Sequence, residues 1–236
     1  MSAAALRALH VPGDPLVLPN AWDAATAKVV VEAGFPAVAT TSSGVAEALG
    51  YEDGEATPAD EMLAAVARIA RAVDVPVTAD LEAGYGLEGG ELARRLLAAG
   101  GAGLNFEDTD HPNRPALQPV DEQCRRIAAI KAGGDVVVNA RIDVHIRGGE
   151  TAEGLERARA YRAAGADCVY PIGITDEATI AAYAEGGPVN VLLRPGAPPI
   201  ARLAELGVAR VSLGHFLHAE MLDALRERVS RLDTRS

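Results

Sequence analysis

The chain has 236 residues, a 49% hydrophobic fraction and a formal net charge of −11. That length suits one domain over 1–236, and a (β/α)8 barrel of about 250 residues falls in the same range. The acidic balance argues against nucleic-acid binding, which leaves a basic footprint. Two cysteines, Cys124 and Cys168, make no disulfide framework, and no run reaches the roughly 18 consecutive apolar residues that suggest a membrane span. The start of the chain is too short in apolar residues for a leader, so a reducing cytoplasm is the expected setting.

In chain order, a short helix is expected over 3–9. Strand-like and helical runs then alternate: 15–20 with 23–34, 37–42 followed by an irregular stretch over 43–56 and a helix over 57–73, then 75–81 with 90–100. The pattern continues as 102–108 with 120–134, 135–142 with 151–165, 167–173 with 175–187, 189–196 with 198–207, and 209–214 with 215–232. Thr57 is the expected N-cap of its helix, with Pro58 at the first helical position. Helices ending in Gly34, Gly100, Gly165 and Gly207 carry the usual C-terminal stop. The strands are continuous apolar runs, as strands buried on both faces should be. Eight such units close into a parallel α/β (β/α)8 barrel. No G-x-G-x-x-G follows the first strand, so a dinucleotide-binding sheet has no support.

In such a barrel, function sits on the loops after the strands. Asp80 and Glu82, two apart in "VTADLEAGYG", share a strand face, and Glu107 ends the neighbouring strand. Three carboxylates cannot share a small cleft uncompensated. A hard divalent cation, Mg2+ with Mn2+ as an alternative, would resolve their repulsion; pairing of some with Arg141, or helix capping, is the other reading. Asp108 reads as structural. Arg141 needs an anionic partner, either a substrate carboxylate or phosphonate, or Glu107 or Asp143. Thr41, Ser42, Ser43 and Gly44 offer hydroxyls and N–H groups suited to a carboxylate or developing oxyanion, although an ordinary polar turn has the same composition. His215 and His218 can face one way but lack an evident third metal ligand. His111 and His145 lie in catalytic-side loops, where a histidine can transfer protons, but surface histidines are the favoured reading, and the two cysteines read as packed thiols. Lys28 and Lys131, the two lysines, fall on outer helices, which excludes a Schiff-base aldolase.

"NAWDAATA" (20–27), "TTSSG" (40–44), "ADLEAGYG" (79–86), "GLNFEDTD" (103–110), "NARID" (139–143) and "VSLG" (211–214) together resemble the isocitrate lyase / phosphoenolpyruvate mutase family across essentially the whole chain. The resemblance implies that Asp80 is a direct Mg2+ ligand and that Glu82, in place of the family's usual second Asp, and Glu107 hold the metal through water. It implies that Arg141 binds the substrate carboxylate and that the backbone of Ser43 and Gly44 holds an α-oxo-carboxylate. Asp53 resembles an acid that mutases place near the transferred group, on a loop two residues shorter here. It also implies a homo-oligomer, dimer or tetramer.

The departures bear on the reaction. The loop "TDHPNRPALQP" (109–119) lacks the Lys and Cys of citrate-type lyases and the Lys and Asn-Ser pair of phosphonate-cleaving members, leaving Arg114 as its one strong cation. Pro171-Ile172-Gly173 stands where citrate-type lyases read P-E-A. A divergent, phosphonomutase-like branch is implied. The expected activity is a Mg2+-dependent C–C lyase acting on a small α-oxo or α-hydroxy dicarboxylate, with oxaloacetate-like acids favoured. Phosphonomutase or phosphonate-hydrolase chemistry is the alternative, and a non-catalytic oxo-acid binder the third reading. A Cys124→Ser, Cys168→Ser double variant is expected to keep wild-type turnover. Isocitrate is expected to release no glyoxylate, followed by phenylhydrazone absorbance.

Overall fold

A computed structural model describes residues 2–113 and 116–232. It is a barrel of parallel strands ringed by helices. The elements run α1 (Ala3–Ala8), β1 (Leu16–Leu18), β2 (Asn20–Ala21), α2 (Ala24–Glu32), β3 (Val38–Thr40), α3 (Ser42–Leu49), α4 (Ala59–Arg71), β4 (Val77–Asp80), α5 (Gly89–Ala98) and β5 (Gly103–Glu107). There follow α6 (Val120–Gly133), β6 (Val137–Ile142), α7 (Thr151–Ala163), β7 (Cys168–Pro171), α8 (Glu177–Ala184), β8 (Asn190–Leu192), α9 (Ile200–Glu205), β9 (Arg210–Ser212) and α10 (Phe216–Ser230).

The nine strand segments among the described residues make eight barrel strands. The run expected over 15–20 is broken at Pro19, whose missing N–H interrupts the ladder. β1 pairs with β9, while β2 pairs with β3. Pairing then continues from β3 through β7, and a bridge between Val169 and Val189 joins β7 to β8. Asn20 ties the break together: its Oδ1 accepts from the N–H groups of Leu213 (3.0 Å) and Gly214 (2.7 Å), and its Nδ2 donates to the Thr40 carbonyl at 2.7 Å.

The N-terminal end of the barrel is closed by α1, whose Leu6 is fully buried among Leu16, Leu18, Ala39 and Val137. The outer helices bury a stripe against the strands. In α4 the stripe is Met62, Leu63, Val66 and Ile69, the three-and-four spacing of an amphipathic helix. α10 is different: Met221, Leu225 and Val229 are each more than half exposed. None of the described helices is long and apolar enough to cross a membrane.

Two sequence expectations are corrected. The stretch 43–56 is not wholly irregular, because Ser42–Leu49 forms α3 with Thr41 as its N-cap. Val45 and Ala46 are buried on one side, and Gly50 closes the helix at φ 87°. Ser-Ser-Gly looks like a turn, yet the burial of the residues behind it makes it a first helical turn. Thr57 caps nothing: Pro58 is the N-cap of α4, and the buried Thr57 hydroxyl has no hydrogen-bond partner.

The helix pair α5 and α6 packs backbone to backbone. A Cβ on Gly133 would lie 2.6 Å from the Gly90 carbonyl oxygen. Gly133→Ala is therefore expected to lower stability by about 1–3 kcal/mol through overpacking without changing turnover per folded molecule. Guanidinium denaturation beside an activity assay checks both.

Candidate active site

The C-terminal ends of the strands enclose a cavity of about 180 Å3. Ser42, Ser43, Asp80 and Arg141 all line it, together with Asn20 and Asn105, and Asp53 reaches it from the exposed turn before α4. Thr41 and His215 line it as well, so these residues, the two asparagines aside singled out from sequence, meet in one place. Gly44 does not line the cavity. A Cβ there would lie 2.7 Å from Thr41 Cγ2 and 3.3 Å from Trp22 Cβ, so glycine lets α3 start close against the barrel.

Asp80 ends β4 beneath the N-terminus of α3. Its Oδ2 accepts from the Ser42 N–H (3.2 Å) and Ser42 Oγ (3.0 Å), and its Oδ1 accepts from Asn105 Nδ2 at 3.3 Å. A carboxylate is stabilised at that end of a helix by its unsatisfied amides and its dipole. Asp80 uses the first amide. Those of Ser43 and Gly44 belong to the same first turn, where no side chain caps the helix.

Beside Asp80 lies a second, deeper acidic group. Glu82 and Glu107 are buried, with His111 between them: His111 Nε2 is 2.7 Å from Glu107 Oε1 and 3.9 Å from Glu82 Oε2. Burial pushes the Glu82 carboxyl up to about 7, helped by Asp53, Glu107 and Asp80 and opposed by the Tyr85 hydroxyl. Burial also raises Glu107, against the pull of Arg141 and His111. The surface reading of His111 is thus overturned. The short 3-10 turn His111–Asn113 folds the loop after β5 back over the glutamates, and that long-range placement has no signature in the sequence.

Arg141 meets the second of its sequence readings, the pairing with Asp143 and Glu107. It forks onto Asp143, Nε to Oδ1 at 2.6 Å and Nη2 to Oδ2 at 3.0 Å, and its Nη1 lies 2.6 Å from Glu107 Oε2 while the guanidinium still lines the cavity. Burial opposes its charge, but Glu107, Asp143 and Asp80 outweigh that and hold its pKa above the usual value.

The donor set fits a hard divalent cation. One ligand atom each from Glu82, Glu107 and His111 falls within 4.8 Å of the others. Glu107 Oε2 is buried without a hydrogen-bond partner of good geometry, its ion pair with Arg141 aside. Asp80 lies on the cavity side of this trio and is held by Ser42 and Asn105 rather than grouped with it.

Three strained residues brace the trio. Glu55, Glu82 and Tyr85 have φ of 64°, 46° and 55°, which is uncommon outside glycine. They are bonded to one another: Glu55 N–H to Glu82 Oε2 (2.9 Å), Tyr85 N–H to Glu55 Oε1 (2.6 Å) and Tyr85 O–H to Glu82 Oε1 (2.8 Å). The turn carrying Asp53 is thereby tied to the turn after β4.

The remaining candidates are structural. Asp108 is fully buried, accepting from the Asp143 N–H, the Tyr161 hydroxyl and Arg157, and burial pushes it up to about 6. His145 bonds the Tyr183 hydroxyl. His218 is buried edge-on to Trp22, while His215 is the exception and not structural: it is exposed and lines the cavity. Cys168 is buried, its thiol pushed up to about 12 by that burial. Lys28 is exposed on α2, and Lys131 bonds Asp167, far in the fold from the cavity lining. Arg114 lies outside the described residues. Asn20 was not singled out as a site residue; an Asn straight after a strand-breaking Pro is the one local signal it offers.

A parallel barrel with an acidic pocket at its C-terminal mouth has the layout of the barrel enzymes, whose sites sit at that face. Residues 6–232 match the phosphoenolpyruvate phosphomutase family, and the chain belongs to this isocitrate lyase / phosphoenolpyruvate mutase family. It is 41% identical to a candidate phosphonomutase of Burkholderia cenocepacia J2315, with TM-score 0.91 over 98% of this chain and 99% of that one. It is 32% identical to 2,3-dimethylmalate lyase of Eubacterium barkeri over 87% of this chain and 76% of the relative. An oxaloacetate acetylhydrolase, solved with its product oxalate, is 26% identical with TM-score 0.88, covering 99% and 87% of the two chains.

The raised Glu82 yields a stability prediction. A carboxyl that holds its proton more tightly when folded stabilises at low pH, and that stability is lost as pH rises from about 4.5 to about 7. Metal-free wild type is therefore expected to lose stability relative to Glu82→Gln over this window, by on the order of 1–3 kcal/mol. Mg2+ is expected to narrow the gap. Melting curves of both proteins from pH 5 to 8, with and without the metal, test the sign.

Proposed function

We propose that this protein is a Mg2+-dependent lyase cleaving a C–C bond of a small α-oxo or α-hydroxy dicarboxylate, with an oxaloacetate-like acid favoured. The observation that carries the reading is the small polar cavity onto which Asp80, Arg141 and the first turn of α3 converge. At about 180 Å3 it is below the roughly 300–1,000 Å3 of sites for drug-sized ligands, which suits a small acid.

Asp80, Glu82 and Glu107 would hold the metal, which supplies Lewis-acid polarisation of the substrate's carboxylate and adjacent oxygen. Arg141 offers its guanidinium to a substrate carboxylate. The amide of Ser43, with the positive end of α3, meets negative charge as it develops on the oxo-acid. In decarboxylation the C–C bond breaks, its electron pair stays on the oxo-acid fragment as an enolate, and CO2 leaves without a proton. The enolate then takes a proton from solvent. No group of the loop 109–119 is required for that sequence. A homo-oligomer belongs to the same reading, the exposed apolar side of α10 being the surface open to a second copy.

P–C cleavage is the second reading, favoured by Asp53 at the cavity and by the likeness to a candidate phosphonomutase. Phosphoryl transfer calls for positive groups around the equatorial oxygens. Arg141 faces the cavity with its charge already shared by Glu107 and Asp143.

Purified protein is expected to consume oxaloacetate or a close analogue with Mg2+ or Mn2+, to lose activity in EDTA, and to regain it on readdition. Asp80→Asn is expected to lower kcat/KM by about 100-fold, the order of loss for one group acting on developing charge. Phosphonopyruvate is expected to give no new phosphorus NMR signal. A phosphate ester or free phosphate would instead select the P–C reading, and absence of turnover on every acid would leave a binder.

A further inference from the structure

The largest fully buried side chain in the barrel is a cation. Arg210, at the start of β9, is 0% exposed. Among the described residues no carboxylate comes within ion-pair distance of it. Its Nε donates to Ser212 Oγ (3.1 Å), its Nη2 crosses the interior to Asn105 Oδ1 on β5 (3.3 Å), and its Nη1 has no hydrogen-bond partner. Burying an unpaired charge is costly, so the residue needs an explanation that barrel packing does not supply.

Asn105 supplies one. Its Oδ1 accepts from Arg210 Nη2 and from Asn139 Nδ2 (2.8 Å), while its Nδ2 donates to Asp80 Oδ1. If the amide were turned over, its NH2 would face two donors and its oxygen would face the Asp80 carboxylate. Asn139 is itself an amide that can turn, and its own Oδ1 is unpartnered. A guanidinium only donates and a carboxylate only accepts, so Arg210 and Asp80 together settle the orientation of the pair, with Arg210 holding the oxygen end. Ser212, the other side chain that Arg210 bonds, lines the cavity.

We propose that Arg210 is a positioning residue of the acid site: through Asn105 it aims a donor at Asp80, and its unpaired charge lies beneath the cavity as counter-charge for a substrate bearing two acidic groups. The inference rests on the oxo-acid reading of that cavity and extends it to a substrate that binds as a dianion.

The probe is oxalate with Mg2+, its affinity read by calorimetry beside the melting temperature of each protein. Arg210→Met keeps the length and removes the charge. It is expected to melt no lower than wild type, since removing a buried unpaired charge relieves a cost, yet to bind oxalate about tenfold or more weakly, the size of a lost hydrogen bond to charge. In an Asn105→Ala background the same change is expected to cost less than it does alone, because the route to Asp80 is already gone and only the counter-charge remains to be lost.

Arg210→Lys carries the test should the Met variant fail to fold. A buried lysine loses its proton readily, whereas arginine does not. The titratable groups around this position are Cys168, Tyr170, Asp80 and His10. Burial pushes Cys168 up to about 12, raises Tyr170 and lowers His10 to about 4. Oxalate affinity of the Lys variant is expected to fall between pH 6 and 9 more steeply than that of wild type.

Wild-type oxalate binding with less than a threefold loss in Arg210→Met, or a Lys variant whose pH dependence follows wild type, would overturn the role of Arg210 and leave the site reading standing. No oxalate binding by wild type would overturn the site reading and this inference with it.

Discussion

Buried negative charge is the constraint around which the catalytic end of this barrel is arranged. Glu82 and Glu107 are both withdrawn from water, and Glu107 is close enough to help raise Glu82. Each compensating group is drawn from a different part of the chain: Arg141 from β6, His111 from the loop after β5, Tyr85 and Glu55 from two strained turns. Charges in such a setting interact more strongly than in water, so none of these groups is free to move independently. The loops hold their conformations because the carboxylates need them.

Arg141 is the hinge of that balance. Its fork onto Asp143 fixes the guanidinium plane, and Asp143 is in turn held by its N–H to Asp108. Asp108 is anchored by Arg157 and Tyr161 of α7. A chain of hydrogen bonds thus runs from the outer helix ring to the cavity wall. It explains why residues away from the cavity are buried and charged.

The barrel also divides its interior by polarity. Leu6 of α1 and its neighbours plug one end. Above them comes a layer holding Arg210, Asn105, Asn139 and Ser212, and then the cavity. The apolar core lies between strands and helices rather than down the axis, with Leu81, Leu92, Leu96 and Phe106 among its largest members. The strands can therefore carry polar side chains inward at their C-terminal ends without weakening the packing that holds the barrel.

The alternation of apolar runs with helical ones was enough to specify a parallel barrel, because strands buried on both faces and glycine-stopped helices leave a local record. The approach of Glu107 to Arg141 and of Asp80 to the same cavity was legible for the same reason: each stands at or near the end of a strand, and adjacent parallel strands bring such ends together. α3 was not legible, since Ser42-Ser43-Gly44 has turn composition and becomes helical through the burial of Val45 and Ala46. His111, Asn20 and Arg210 were decided by the tertiary structure alone. Their partners stand on elements distant in sequence or across the barrel, Arg210 and Asn105 being 105 positions apart, and a contact of that range leaves no periodicity or spacing behind. The split of Arg141 between Asp143, Glu107 and the cavity likewise depended on where three strand ends lie relative to one another, a distance that only the closed barrel defines.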